Sequence, residues 1–554
     1  MQIPGASAPD LSNERSGRDW LLFAFAIACL LPSIGSQSSI SGQDEYWLSF
    51  RTVLEMMERG EWLTPYVNGE VRLQKPPLLY WAMRGLFETF GPSMFVARIP
   101  TVLAGAGFAV VAAKIARGFG GNAMVTGLLA LAAAGVAVES RRAMFDLPVA
   151  CLSSWAVLYG MRWVRSGALA SLLAAAVLLA AAAMTKGPVA LWFALAPVTA
   201  ALLVRRARPA GSWLHLVPAL LVFCALALPW PIWVQQAHPK FWNVMAEQAE
   251  HRSFGLSGLL SLPNIAGAAL GLFVPWSIAF ASAAWSVLRG RHPQQGKAKW
   301  LLTWFGIGLV PFALMSSFER YVLALLVPMA LITEPWLATL SVRHLRMQLT
   351  AAASLLALPI LVFSLFVAWF GLSYVAPLAA AIAWFATWRC ARAEQPSVQR
   401  TAVCASIALA ALLGLVYPAI GINRLPESLP ADLSTMPVGT WGRPQPGMLS
   451  IVRERSVRQV NQTDPDLAAF TGYLFALEGE AEGIAQKCKA MNKPCETKAQ
   501  FASFYSRKAW LRFFKDGIGW PQWKEALASR DASPLMPRFV CLAIGPAAPG
   551  EANK

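Results

Sequence analysis

The chain has 554 residues, of which 56% are hydrophobic and only 14% charged, and it carries 23 tryptophans. A mean hydropathy of +0.47 excludes a soluble globular protein of this size and indicates a polytopic membrane protein. Lys and Arg outnumber Asp and Glu by 47 to 30, a net charge of +17. These cations gather in short loops between apolar runs, so they orient the chain in a bilayer and do not indicate nucleic acid.

In chain order, apolar runs predict thirteen spans, near 20–36, 95–116, 121–138, 144–163, 168–185, 188–204, 213–234, 263–287, 300–316, 320–340, 347–369, 373–390 and 401–421. The first follows Arg15, Arg18 and Asp19 and lacks a small-residue cleavage site, so it is read as a span and not as a signal peptide. With the N-terminus cytoplasmic, every inner loop is basic: Lys114 and Arg117; Arg162 and Arg165; Arg205, Arg206 and Arg208; Arg289, Arg291, Lys297 and Lys299; Arg343 and Arg346; Arg389, Arg392 and Arg400. The positive-inside rule then puts the 38–93 loop, the 139–143 and 316–320 turns, the 235–262 loop and the C-terminal tail outside.

The first long loop holds most of the charge of the first hundred residues. Its opening, 44–59, places Tyr46, Phe50, Val53, Leu54 and Met57 on one helical face, with Arg51, Glu55, Glu58 and Arg59 elsewhere, and Gly60 as a stop. A turn and a short extended piece follow over 62–72. Lys75-Pro76-Pro77 then introduces a second amphipathic helix over 78–90. Both helices are expected to lie in the membrane interface. A lysine beside a helix N-terminus adds charge where the dipole is already positive, which suits a phosphate; the bland reading is a lysine reaching for lipid headgroups.

The other outward charges fall at span ends. Arg141, Arg142 and Asp146 lie at the fourth span, Lys186 between the fifth and sixth, Glu319, Arg320 and Tyr321 at the tenth, and His251 and Arg252 after an interfacial helix. Taken singly, Asp146 fits an ordinary helix N-terminus, Lys186 and Arg320 fit snorkelling, and His251 fits a surface histidine. Their shared side suggests an ionic ligand at that interface.

The order of an acidic pair (Asp44, Glu45), G-E-W, N-G, K-P-P-L-L-Y-W, F-D-x-P and T-K-G-P resembles the GT-C glycosyltransferases of the protein-mannosyltransferase superfamily, and most of all the ArnT-like branch, over about residues 20–421. The piece G-T-W-G-R-P-Q-P-G-M-L-S resembles the start of that branch's outer domain. The resemblance implies a GT-C fold and transfer of a sugar from a polyprenyl phosphate to an envelope acceptor at the periplasmic face of a bacterial inner membrane. An aminoarabinose-type sugar and lipid A come first as sugar and acceptor; another sugar to protein or glycan is the alternative. It assigns catalysis to Asp44 and Asp146, and the donor phosphate to Lys75, Lys186, Arg320 and Tyr321. Glu45, Arg142, His251 and Arg252 are further candidates. Two positions depart from the pattern. Gln74, a poor metal ligand, stands where a metal-binding glutamate is usual, so no metal ligand is assigned and the divalent metal that the resemblance implies is left open; Leu48 stands where a tyrosine is usual.

Residues 422–554 are polar and Pro- and Gly-rich at their start. Strand-like runs at 449–452, 457–460 and 539–544, with helices near 477–491 and 498–514, predict a small periplasmic α/β domain after the membrane domain 1–421. Cys488 and Cys495 suit a disulfide outside the cytoplasm, although Cys541 makes the local count odd. No Walker A loop, G-x-G-x-x-G, H-E-x-x-H or G-x-S-x-G is found, which argues against ATPase, dehydrogenase and common hydrolase classes. A lipid or solute transporter would explain the spans, but no inverted repeat is visible and the charges sit at the outer edge, not at mid-membrane. A non-catalytic assembly factor would not explain the acidic and basic set.

Overall fold

A computed structural model of the chain describes residues 17–40, 42–204, 210–250, 262–315, 317–442, 455–506 and 511–546. Most of it is α-helix, and the chain is a multi-pass membrane protein. Among the described residues, six helical segments are long and apolar enough to cross a bilayer: Met94–Gly118, Leu169–Lys186, Trp213–Ala237, Glu319–Leu337, Val342–Trp369 and Val398–Ala419. Asp146–Ser166 and Gln295–Ala313 pack among them as further helices. Small residues allow this close packing, as is usual between membrane helices. A Cβ on Gly105 would meet the Ser140 hydroxyl, and one on Gly127 would meet Leu22.

Two predicted spans are not single helices. The 121–138 run is split into Ala123–Leu131 and Ala134–Glu139, and the 263–287 run into Leu262–Leu272 and Ser277–Leu288. The two breaks meet: Ala134 N donates to Val274 O across 2.7 Å, so a donor freed at one interruption is satisfied by an acceptor at the other.

The first loop follows its predicted pattern but not its predicted setting. Residues 43–58 are one helical stretch with a π turn over Tyr46–Phe50, and the second helix is Leu78–Phe90. Tyr46, Phe50, Val53 and Leu54 are buried as expected, yet Arg51 and Glu55 are also buried, only 2% and 4% exposed. The cover on their side is a hairpin, β1 (Tyr66–Val67) and β2 (Glu70–Val71). Asn68 (φ 56°) and Gly69 (φ 83°) turn it, the left-handed pair that a tight hairpin favours. Glu55 accepts from Asn68 N at 2.7 Å and from Gly69 N at 2.9 Å, while Arg51 donates to Asn68 Oδ1 at 2.8 Å. The polar face of the helix is spent on this turn, so the helix is not free to lie in an interface with that face in water.

The C-terminal part contains a five-stranded sheet in the order β4-β3-β5-β7-β6, with β3 Val438–Trp441, β4 Arg458–Val460, β5 Gly472–Leu477, β6 Cys495–Ala502 and β7 Arg538–Ile544. β3 runs parallel to β4 and β5; β7 is antiparallel to β5 and β6. The predicted helix at 498–514 is therefore not formed: 498–502 belong to β6, and the other described residues of that range, 503–506 and 511–514, are not helical. Phe501 stacks on Phe539 at 5.6 Å and packs on Phe475, and this cross-strand burial outweighs local helix preference. A helix at Trp520–Ser529 and the strands β3 and β5 were not anticipated. The expected strand at 449–452 lies outside the described residues. Cys488 and Cys495 are free thiols beside one another. Burial pushes the Cys495 thiol up to about 12.

The sheet is joined to the membrane helices at two places. Asn423 N donates to Phe504 O at 2.6 Å, and Phe366 packs on Phe504 and Phe514. On the other side Asn68 Nδ2 donates to Gln459 O at 3.2 Å, Gln459 N donates back to Asn68 Oδ1 at 2.9 Å, and Ser456 donates twice to Glu58 at 2.7 and 2.6 Å.

Candidate active site

Four segments far apart in sequence converge on one ionic cluster. Asp44 comes from the first turn of the 43–58 helix. Asp146 opens Asp146–Ser166, where a carboxylate meets the positive helix end. Lys186 closes Leu169–Lys186, and Gly187 (φ 80°) ends that helix. Arg320 and Tyr321 lie in the 3₁₀ turn Glu319–Leu325 that leads into the next helix.

Lys186 Nζ donates to Asp146 Oδ1. Arg320 Nη2 donates to Asp44 Oδ2 at 3.0 Å, and its Nε lies 3.1 Å from Asp146 Oδ2 as an ion pair without hydrogen-bond alignment. One guanidinium thus joins both carboxylates. Lys186 Nζ also sits 3.6 Å from the Tyr321 ring centroid, and Arg320 lies over Phe318 at 4.5 Å. These cation–π contacts hold both cations laterally. Lys75, half-buried ahead of Leu78–Phe90, is near enough for its charge to act on Asp146. The Asp146 side chain is 3% exposed and that of Asp44 is 25% exposed. Asp146 therefore organises the cations from behind, and Asp44 is the carboxylate a ligand can reach.

The other candidates are placed differently. Glu45 turns the opposite way and is fully buried. Arg98 grips it twice, at 2.7 and 2.9 Å, and Ala143 N donates to it at 2.7 Å. Arg98 also donates to Ile34 O and Ile40 O, so this pair ties the first loop to the start of Met94–Gly118. Arg142 Nη1 donates to Glu139 at 2.9 Å. The Nε and Nη2 of Arg142 and the Oε2 of Glu139 are buried with no hydrogen-bond partner among the described residues. Glu139 was not singled out from the sequence, yet Arg320 and Asp146 both act on it electrostatically. A carboxylate at the end of an apolar run was the signal that could have found it. Glu319 is exposed. His251 and Arg252 lie outside the described residues.

At the position of the implied metal ligand Gln74 offers a neutral carboxamide, and among the described residues, which do not include His251, no group of three or more His, Cys, Asp or Glu side chains is placed to hold a metal ion.

Residues 74–233 match the family model described as dolichyl-phosphate-mannose-protein mannosyltransferase. Among curated proteins, an undecaprenyl phosphate-alpha-4-amino-4-deoxy-L-arabinose arabinosyl transferase of Pseudomonas fluorescens (strain Pf0-1) is 25% identical over 376 residues, 60% of each chain. Its counterpart in Serratia proteamaculans (strain 568) is 24% identical over 56% of this chain and 57% of that protein. The alignments thus span at most 60% of these relatives' length. Among solved structures, ArnT from Cupriavidus metallidurans, crystallised with undecaprenyl phosphate, superposes with a TM-score of 0.65 at 19% identity, over 95% of this chain and 98% of that one. Its apo form gives 0.67 at 18% identity with the same coverage. The membrane helices and the small C-terminal sheet share the architecture of that structure, so the chain has the GT-C fold.

Proposed function

We propose that this protein transfers a sugar from a polyprenyl phosphate, an aminoarabinose-type sugar from undecaprenyl phosphate in the first instance, to lipid A at the periplasmic face of the bacterial inner membrane. The observation that carries the proposal is the Arg320 guanidinium shared between Asp44 and Asp146, with Lys186 and Lys75 beside it.

The chemistry follows from these charges. The bond from the anomeric carbon to the phosphate oxygen breaks, and its electron pair leaves with the polyprenyl phosphate. Lys75, Lys186 and Arg320 stabilise the negative charge gathering on that group, with Tyr321 keeping the lysine in place. The burial of Asp146 holds Lys186 and Arg320 poised before substrate arrives, so little reorganisation is needed. Asp44 faces the sugar. It stabilises positive charge developing at the anomeric carbon and, for a hydroxyl acceptor, takes the acceptor's proton. A phosphate acceptor on lipid A is already nucleophilic and needs only orientation. Direct displacement of the phosphate by the acceptor in one step implies inversion at the anomeric carbon. The 422–554 domain, tied to the first loop through Glu58 and Asn68, forms a wall on the same side.

The test is lipid mass spectrometry of cells carrying the wild-type protein or Asp44→Asn. Build-up of a polyprenyl-phosphate sugar, with loss of the same sugar mass from lipid A, supports the assignment. Loss from a protein or glycan instead keeps the chemistry and changes the acceptor. No change in either pool with stably inserted Asp44→Asn protein rejects the transferase and favours a transporter.

A further inference from the structure

We propose that the membrane domain holds a specific anionic phospholipid at the face opposite the Asp44 cluster, in a groove between the ends of Ser277–Leu288 and Glu319–Leu337 and the start of Val342–Trp369. Arg320 stands at the first turn of Glu319–Leu337 and the groove at its last, which separates the two by about 25 Å at the helical rise. The groove is distinct from the cluster around Asp44.

The groove has a volume of about 600 Å³, and its walls include Trp285, Arg289, Arg291, Trp336, His344 and Gln348. None of its lining residues is acidic. Arg289 lies over the Trp285 ring at 4.7 Å, which fixes one guanidinium at the rim. A headgroup phosphate there meets two arginines and no opposing carboxylate, whereas a choline group would meet no countercharge.

A second, independent observation comes from Gln348. It is 8% exposed, its Nε2 donates to Ser282 Oγ at 3.4 Å, and its Oε1 is buried with no partner among the described residues. Either orientation of the amide leaves one polar atom unmet. Such an orphan is costly in a membrane protein unless a ligand satisfies it. A phospholipid headgroup with hydroxyls, such as phosphatidylglycerol, supplies a donor for it as well as a phosphate for the arginines. At the rim, Trp285 and Met347 are each 58% exposed and Leu288 is 70% exposed, an apolar bed for the acyl chains.

Arginines at this face are expected on orientation grounds alone, so the test compares like with like. The full-length protein in detergent is titrated with phosphatidylglycerol or phosphatidylcholine, and bound lipid is counted by native mass spectrometry. The variants are R289Q/R291Q, Q348L and, as a control from another basic loop at the same face, R389Q/R392Q. The expected result is tighter binding of one phosphatidylglycerol than of phosphatidylcholine, weakened about 30-fold by R289Q/R291Q. Q348L weakens it by a smaller factor, and R389Q/R392Q leaves it within twofold. Both arginine pairs are exposed, so these variants test charge without disturbing the core. Equal losses in both arginine pairs, or equal binding of the two lipids, overturn the proposal. Displacement of the lipid by inorganic phosphate at matched concentration would make the groove a free-anion site and also overturn it.

Discussion

Arg320 Nη2 lies 3.0 Å from Asp44 Oδ2 while its Nε lies 3.1 Å from Asp146 Oδ2, so one planar fork couples a reachable carboxylate to a buried one. Lysine at this position would offer a point charge and could not span both. Arg320→Lys is expected to insert normally but to lower transfer from a polyprenyl-phosphate sugar by about 10²–10³-fold, the usual cost of losing a preorganised charge-stabilising donor. Single-turnover assays on purified protein check this; near wild-type turnover would show that the bridge is incidental.

Glu45 sits one residue after Asp44 but is expected to behave as a structural group. Removing one member of a buried pair costs about 3–5 kcal/mol, because the other charge is left unpaired. Glu45→Ala should therefore lower the thermal unfolding midpoint sharply. Replacing both partners, Glu45→Leu with Arg98→Met, should lower it less. A Glu45→Ala protein with unchanged melting and no turnover would make Glu45 catalytic instead.

The Asn68 turn is where the first loop meets β4 of the sheet. Asn68→Ala removes the pair of hydrogen bonds with Gln459 and places alanine at φ 56°, a conformation that asparagine tolerates through its short polar side chain and alanine does not. Local stability should fall by about 1–3 kcal/mol. Amide hydrogen exchange should accelerate at 458–460 and 66–71 while the membrane helices stay protected. Uniform exchange across the chain would mean that the contact is not a local clasp.

Chelation offers a direct test of the Gln74 departure. Transfer activity should survive incubation with EDTA and dialysis if, as proposed, the charges on Lys75, Lys186 and Arg320 stabilise the leaving phosphate. Activity that vanishes and returns with added zinc would place a metal ligand among residues outside those described.

Much of this was legible in one dimension because membrane insertion imposes strong sequence rules. Long apolar runs had to be helices, since backbone groups in lipid must pair internally. The Leu78–Phe90 helix and the strands at 458–460 and 538–544 follow from local periodicity. Asp146, Lys186, Arg320 and Tyr321 stood out at span ends, where ionisable groups are expensive, and the family resemblance joined Asp44 and Lys75 of the first loop to them as site candidates.

Tertiary structure decided what each charge is for. Asp44 and Glu45 are neighbours in the chain, but successive helical residues point about 100° apart, so one meets Arg320 and the other Arg98. Local pattern marked Arg51 and Glu55 as a solvent face, and only the packed hairpin shows them buried. The same holds for the broken helices at 132–133 and 273–276, which are joined across the fold by the hydrogen bond from Ala134 N to Val274 O. Sequence alone determined which runs are apolar enough to form membrane helices and which residues carry charge. The pairing of those charges depends on distances between segments up to 276 residues apart, which periodicity along the chain does not encode.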